Sequence, residues 1–366
     1  MKKKKIYFLT FGDIPFDQRM QRIWSSLNDA GYEISIFGRK LFDVPLDNYP
    51  FEIKRFTPVF RSGVLAYAEF NIRAVIYLIQ NKPVCLCCID LDTLLAGRFY
   101  KLIKRFTLIY DAHEYYTESP EIVGRPVIKF IWKKLADFCI PAVDLAYTVS
   151  QSIAKEMSLL YKVDFGVVRN LPLRYEIVDR KTSFNKPYIL YQGALNVGRS
   201  LESLILSMSA EDQLILCIAG EGDLKDALIS LVDSHDLEEK IIFLGNLPPD
   251  KLREVTGQAW LGINLLENLG KSYYLSLANK FFDYIQCGIP QICIDFPEYR
   301  SLNDEYRVAM LIDDISSANI FNSVKMLKED ELLYRTLVNN TIRAAGELNW
   351  EKESGKLTEI YQHIKF

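Results

Sequence analysis

The chain has 366 residues, 49% of them apolar and 25% charged, with 18 Gly, 14 Pro and a net charge of only −3. That composition excludes disorder as the main state, and at ~100 to 200 residues per domain it predicts two domains. The charge is unevenly placed: residues 1–170 carry 24 Lys and Arg against 18 Asp and Glu, and the remainder carries 20 against 29. A basic first half suits an anionic partner such as a phosphate-bearing ligand or a lipid headgroup, although two differently decorated surfaces produce the same asymmetry.

The opening Met1 to Asp13 joins lysines to an apolar run, but Ile6 to Phe11 is too short for a secretion signal and no small-residue cleavage site follows. No stretch of ~18 apolar residues occurs, so the expectation is a cytoplasmic or peripheral protein. Short apolar runs alternate with amphipathic stretches, the pattern of parallel sheets wrapped by helices. In the first half, strands are expected near Lys5 to Thr10, Glu33 to Phe37, Val84 to Ile89, Thr107 to Tyr110 and Leu145 to Thr148. Helices are expected at Gln18 to Ala30, ended by Gly31, and at Thr93 to Arg105 with Asp92 as N-cap.

A break follows at Arg169 to Pro172, leading into a polar, helix-poor stretch up to Pro187. The alternation then restarts at Tyr188 to Gln192 and continues with strands near Gln213 to Ala219, Ile241 to Leu244, Trp260 to Leu265, Gln291 to Ile294 and Arg307 to Leu311. Consecutive helices are expected from Leu332 to Ile364. The fold class is therefore α/β, with two Rossmann-like, doubly wound parallel-sheet domains facing a cleft. The first spans 1–172 and the second 173–345, and residues 346–366 form a C-terminal helix packing back towards the first. Seven cysteines, mostly in apolar segments, read as buried reduced thiols; Cys85, Cys87 and Cys88 lack a second cluster for zinc, so no metal is expected.

Ligands of open α/β sheets bind beyond the carboxyl ends of the strands, so polar residues just after strands are the candidates. Gly12 follows the first strand, where backbone amides can approach a phosphate or sugar, but no G-x-G-x-x-G dinucleotide fingerprint accompanies it. Asp90-Leu91-Asp92 has the spacing of a D-x-D metal and diphosphate site and equally suits the positive end of a helix dipole, the reading we favour. Asp111-Ala112-His113-Glu114 places an imidazole between two carboxylates at a strand end. In the second half, Gly193 leaves a strand ahead of Arg199, a cation near a helix start that wants an anion beside it. Gly220-Glu221-Gly222 is a comparable turn. Lys280 and Asp283, i and i+3 on one predicted helix face, could neutralise a phosphate and bind a sugar diol, or simply pair with each other.

Together these segments resemble the retaining glycosyltransferases of the GT-B fold, family 4, over nearly the whole chain. The resemblance rests on Phe16 to Arg19, Asp90 to Leu94, Asp111 to Glu114, Val168 to Asn170, Tyr191 to Gly193, Gly220 to Gly222 and Asn279 to Pro290. It implies transfer of a sugar from a nucleotide-sugar donor to a glycan or lipid-linked acceptor, with retention of configuration and without an essential metal or cofactor. By motif match, Arg199 and Lys280 would hold the donor diphosphate, Asp283 the ribose, and Gly193, Glu221 and Asn279 would line the donor pocket. His113 would lie beside the transferred sugar, and Gly12, Asp90, Asp92, Glu114 and Asn170 on the acceptor side. Departures from the family pattern are Leu275 and Asp283 where two Glu are usual, Ala194 where Arg often follows Gly, and Ile89 where His often precedes the Asp-Leu-Asp run. The alternatives are an epimerase or hydrolase on the same scaffold, or an inactive sugar-nucleotide-binding subunit. Cations interleaved with aromatics at Arg98 to Arg105 and Lys129 to Lys134 suit either an anionic membrane surface or solvated helix faces.

Overall fold

The structure, a computed structural model, describes residues 4–46, 49–175 and 184–364. Two compact units divide the chain: Met1–Asn170 together with Glu353–Phe366, and Leu171–Lys352.

The first unit is built on seven strands, β1 Lys5–Leu9, β2 Glu33–Arg39, β3 Glu52–Phe56, β4 Cys85–Ile89, β5 Thr107–Ala112, β6 Leu145–Thr148 and β7 Phe165–Val167. They lie in the order β3-β2-β1-β4-β5-β6-β7, all pairs parallel. Parallel strands covered on both faces read as unbroken apolar runs, and β4 is buried at every position. Helices α1 Gln18–Asp29, α2 Gly63–Asn81, α3 Asp90–Ile103, α4 Pro120–Val123, α5 Pro126–Cys139 and α6 Gln151–Tyr161 form the connections.

The sequence had not announced β3 or β7. The first is an edge strand with no fully buried position, and the second is three residues long, so neither carries a strong apolar signal. The start of α3 also differs from expectation. Ile89 is its N-cap, and Asp90 and Asp92 lie in its first turn, so Asp92 is not the capping residue. Asp90 reaches that turn with a φ of 58°, a left-handed conformation that costs a non-glycine residue energy.

The second unit has β8 Tyr188–Gln192, β9 Ile215–Ala219, β10 Ile241–Gly245, β11 Leu261–Asn264, β12 Gln291–Ile294 and β13 Ala309–Ile312, ordered β10-β9-β8-β11-β12-β13 and again parallel. Its helices are α7 Leu201–Ser207, α8 Lys225–Ser234, α9 Pro249–Gln258, α10 Lys271–Tyr274, α11 Asn279–Gln286, α12 Pro297–Tyr306, α13 Ser317–Glu329 and α14 Glu331–Ala345. Tyr284 of α11 lies where a Cβ on Gly262 would come within 2.6 Å of its ring, so that glycine lets α11 settle on the sheet. Gln286 at the end of α11 donates to the carbonyls of Ala345 and Leu348, tying it to the segment after α14.

The last helix, α15 Trp350–Gln362, contributes its residues from Glu353 onward to the first unit. There Tyr32 donates to the Tyr361 carbonyl at 3.1 Å, the Tyr147 and Tyr361 hydroxyls meet at 3.2 Å, and the Arg169 amide donates to Glu353 at 2.8 Å. Those three bonds fasten the chain terminus to elements more than 180 residues earlier. All seven cysteines are buried thiols. Part of the polar stretch before Pro187, residues 176–183, falls outside the described residues.

Candidate functional site

Strand order reverses between β8 and β11 in the second unit, and the chemistry gathers at the carboxyl end of that switch. The turn leaving β8 passes so close to the turn leaving β9 that a Cβ on Gly220 would stand 1.9 Å from the Gly193 carbonyl oxygen. Gly220 has a φ of 148° and Gly193 one of 128°, so the backbone favours glycine at both, and at Gly220 the space demands it as well. Leu195 donates to the Glu221 carbonyl at 3.0 Å and holds the two turns together.

Lys280, in the first turn of α11, comes up beneath this crossing. Its side chain is 7% exposed, its ammonium lies 3.7 Å from the centroid of the Tyr191 ring, and its Nζ has no hydrogen-bond partner. Burial pushes its pKa well below the ordinary lysine value, and the nearby Arg199 guanidinium pushes it further. Arg199 is itself stacked over Tyr273 at 4.8 Å with its Nε buried and unbonded. Two cations thus stand together with no ion pair to either among the described residues. Such a pair can hold an anion, because a bound phosphate would relieve the repulsion and satisfy both donors.

The other expected residues of this unit are held differently. Asp283 accepts from Gln192 Nε2 at 2.9 Å, and Gln192 in turn accepts from Thr256 at 2.7 Å. This carboxylate is therefore fixed at the end of β8 rather than paired with Lys280 as a helical i,i+3 bridge. Glu221 pairs with Lys225 at 2.8 Å and is half exposed. Asn279 opens α11 on its exposed side. Leu275 follows α10, so no carboxylate enters from that position.

In the first unit, His113 follows β5 and does stand between two carboxylates, but the second is Asp90 and not the adjacent Glu114. Its Nε2 is 3.4 Å from Asp111 and its Nδ1 3.5 Å from Asp90, while its amide donates to Asp90 at 2.9 Å. Burial works against the imidazolium, yet the two carboxylates overcome it and push the His113 pKa up to about 9. At neutral pH this side chain is a fixed cation rather than a free base. Asp111 is fully buried and meets Arg19 at 3.2 Å; despite its burial, Arg19 and then His113 hold it below the usual carboxylate range. Arg19 also donates to the Val168 carbonyl, and Asn170 accepts from Arg22 at 2.7 Å, so α1 knits the ends of β5 and β7 together. Gly12 lies exposed in the loop after β1, next to Asp13, which accepts from the Leu41 and Phe42 amides and pairs with Arg55.

Asp92 and Glu114 line a cavity of about 630 Å³ wholly within this unit. Its other walls come from α2, α5 and the segment between β5 and α5, with Trp132 packed against Tyr67 and Tyr116 at ring distances of 5.1 and 4.7 Å. One oxygen of Asp92 is buried without a hydrogen-bond partner, and burial pushes its pKa well up.

Sequence reasoning missed the roles of Arg19, Asp111 and Trp132. The first two were visible only as members of short motifs, and nothing local states that Arg19 reaches a carboxylate 92 positions on. The cavity had no linear signal at all, because its walls come from separate helices.

Comparisons with known proteins agree with this architecture. The family described as Glycosyl transferases group 1 matches residues 176–344. A curated relative from Campylobacter jejuni is 26% identical over 156 residues, which is 42% of this chain and only 40% of the relative. It is named N-acetylgalactosamine-N,N'-diacetylbacillosaminyl-diphospho-undecaprenol 4-alpha-N-acetylgalactosaminyltransferase. Among solved structures, sucrose-phosphate synthase from Thermosynechococcus elongatus aligns with a TM-score of 0.81 at 16% identity, over 98% of both chains. Anabaena HepE in complex with UDP-glucose aligns with a TM-score of 0.76 at 16% identity, over 98% of this chain and 100% of the other. The GT-B fold is thereby shared across nearly the full length.

Proposed function

We propose that the chain, whose residues 176–344 match the family described as Glycosyl transferases group 1, is a glycosyltransferase that moves a sugar from a nucleotide-diphosphate donor to a glycan or lipid-linked acceptor. The observation that carries this reading is the unpaired cation couple, Lys280 and Arg199, beneath the Gly193–Gly220 crossing. As the bond from the sugar C1 to the diphosphate oxygen breaks, its electron pair stays on the nucleoside diphosphate, and negative charge grows where these two cations stand. They gain more contact energy there than in the ground state, which is what lowers a barrier. The acceptor oxygen forms the new bond to C1, and its proton passes to the departing phosphate. In this reading configuration is retained and no metal is needed, since Lys280 and Arg199 supply the positive charge.

Asp283, held by Gln192, offers its carboxylate to the ribose, and Glu221, Asn279 and Gly193 line the donor site. His113, kept cationic by Asp90 and Asp111, sits by the transferred sugar and serves as a hydrogen-bond donor. Asp92 and Glu114 face the acceptor, with Gly12 and Asn170 on neighbouring loops. The HepE complex contains UDP-glucose, so UDP-sugars are the first donors to try.

The reading extends to a membrane surface. Of the exposed large apolar side chains among the described residues, 21 of 27 lie in the first unit. On α2 they form a solvent-facing stripe, Leu65, Ile72, Ile76 and Ile79, and on α5 Val127, Phe130 and Ile131 are exposed among Lys129, Lys133 and Lys134. Such faces suit the interface of an anionic bilayer. No helix of the described residues is long and apolar enough to cross a membrane.

The test is a donor screen followed by product analysis. UDP-, GDP- and ADP-sugars are compared by thermal shift, where a ligand at 100 times its dissociation constant adds ~2.7 kcal/mol of stability. The stabilising donor is then incubated with saccharide acceptors, and the product anomer is read by NMR with and without EDTA. Donor hydrolysis or epimerisation with no transfer to any acceptor would refute the transferase reading; an inverted anomer or loss of activity in EDTA would refute its stereochemical or metal-free part.

A further inference from the structure

The 630 Å³ cavity of the first unit has a lining of two chemical kinds. Its polar part includes Asp92, with a buried oxygen that no protein donor among the described residues satisfies, Asn71, whose amide donates to the Asp92 carbonyl, and Glu114. The apolar part comes from α2 and α5: Val64 and Ala68 on the first, and Ile128, Ile131, Trp132 and Leu135 on the second. Three of these apolar lining residues are also exposed, Val64 at 81%, Ile131 at 57% and Ile128 at 38%, so the apolar lining reaches solvent on the two helices. Arg125 lines the same space. A purely polar saccharide would leave that wall in contact with water, whereas a bare hydrocarbon would leave the Asp92 oxygen unsatisfied. The volume is in the range that encloses a small ligand.

We infer that this cavity takes an amphiphilic acceptor, with a hydrocarbon chain lying between α2 and α5 and a hydroxyl of its head group bonded to Asp92. This rests on the transferase reading and narrows its acceptor to molecules carrying an alkyl or prenyl chain. The chain enters from the apolar face that α2 and α5 present, and the head group is thereby delivered to the polar part beside Glu114. Arg125 is placed to meet an anionic linker where the acceptor carries one.

Trp132 gives a direct readout. Its emission is followed in the full-length protein while decyl β-D-glucoside, kept below its micelle concentration, or methyl β-D-glucoside is added, with Trp132→Phe run alongside to isolate its signal from the other three tryptophans. The decyl compound is expected to change the emission saturably with at least tenfold higher affinity than the methyl one. Ala68→Phe and, separately, Val64→Phe, each at an exposed position in the apolar lining, should weaken decyl binding at least tenfold while donor-induced thermal stabilisation stays at the wild-type level. A signal equal for both glucosides, or one that neither filling variant weakens in folded protein, overturns the inference. Failure here with donor binding and transfer to chain-free saccharides intact leaves the transferase reading standing, whereas loss of all donor binding strikes at that reading instead.

Discussion

Lys280 Nζ rests 3.7 Å from the centre of the Tyr191 ring, buried and with no hydrogen-bond partner. A buried ammonium without an anion is unfavourable in the free protein, and a cation–π contact of ~2 kcal/mol compensates only part of that cost. On the proposed reading that cost is relieved when a phosphate binds. Lys280→Met should therefore lower turnover by roughly 100-fold or more, the scale for losing one donor to a developing negative charge, without lowering the melting temperature. Steady-state kinetics within threefold of wild type would remove Lys280 from the mechanism.

The same relationship makes a thermodynamic prediction. Burial and Arg199 depress the Lys280 pKa in the free protein; on the proposed reading a bound diphosphate raises it again, so binding takes up protons at pH values between the free and the bound pKa. Calorimetry with UDP in two buffers of different ionisation enthalpy should show net proton uptake that Lys280→Met abolishes. Proton release, or uptake unchanged in the variant, would contradict the assignment.

Arg19 and Asp111 form a nearly inaccessible ion pair, 5% and 0% exposed. Breaking such a pair strands a buried charge, and Arg19→Met is expected to cost about 3 to 5 kcal/mol by urea unfolding. Adding Asp111→Asn should return part of that loss, since the stranded carboxylate is removed. A single-variant cost under ~1 kcal/mol would show that the pair is not the clamp described.

His113 links protonation to stability with a definite sign. Its pKa is raised from 6.5 to about 9 in the folded chain. Its contribution is therefore fully present below about 6.5, the unfolded value, and is lost as pH climbs through about 9. The stability gap between wild type and His113→Gln should shrink across that window, by something on the order of 2 kcal/mol. Separately, His113→Ala should keep nucleoside diphosphate affinity and lose transfer; calorimetry showing lost nucleotide binding would move this residue out of the sugar site.

Gly220→Ala tests the crossing of the two turns. Its Cβ would enter the Gly193 carbonyl oxygen at 1.9 Å, at a φ of 148°, so the variant should lose roughly 3 kcal/mol or more and bind UDP poorly. Gly257→Ala, on α9 with open space around its Cβ, is the control and should leave the melting temperature unchanged or higher. Equal behaviour of the two variants would mean that the turns separate freely.

The sequence by itself determined the α/β class and most of the strands, because a parallel strand buried on both faces reads as a largely apolar run: β4 and β9 are apolar throughout, and β1, β8 and β12 depart from it only at one end residue. It also pointed to His113 as a polar residue just after a strand, to Arg199 as a cation near a helix start, and to Lys280 as a cation spaced i, i+3 from Asp283 on a helix. The edge strand β3, half exposed along its length, left no such trace. Only the tertiary structure decided which groups meet. It paired His113 with Asp90 rather than Glu114, reached from Arg19 to Asp111, gave Asp283 to Gln192, and brought α2 and α5 together around a cavity. Local pattern encodes burial and periodicity, whereas partners far apart along the chain are chosen by how the helices pack on the sheet.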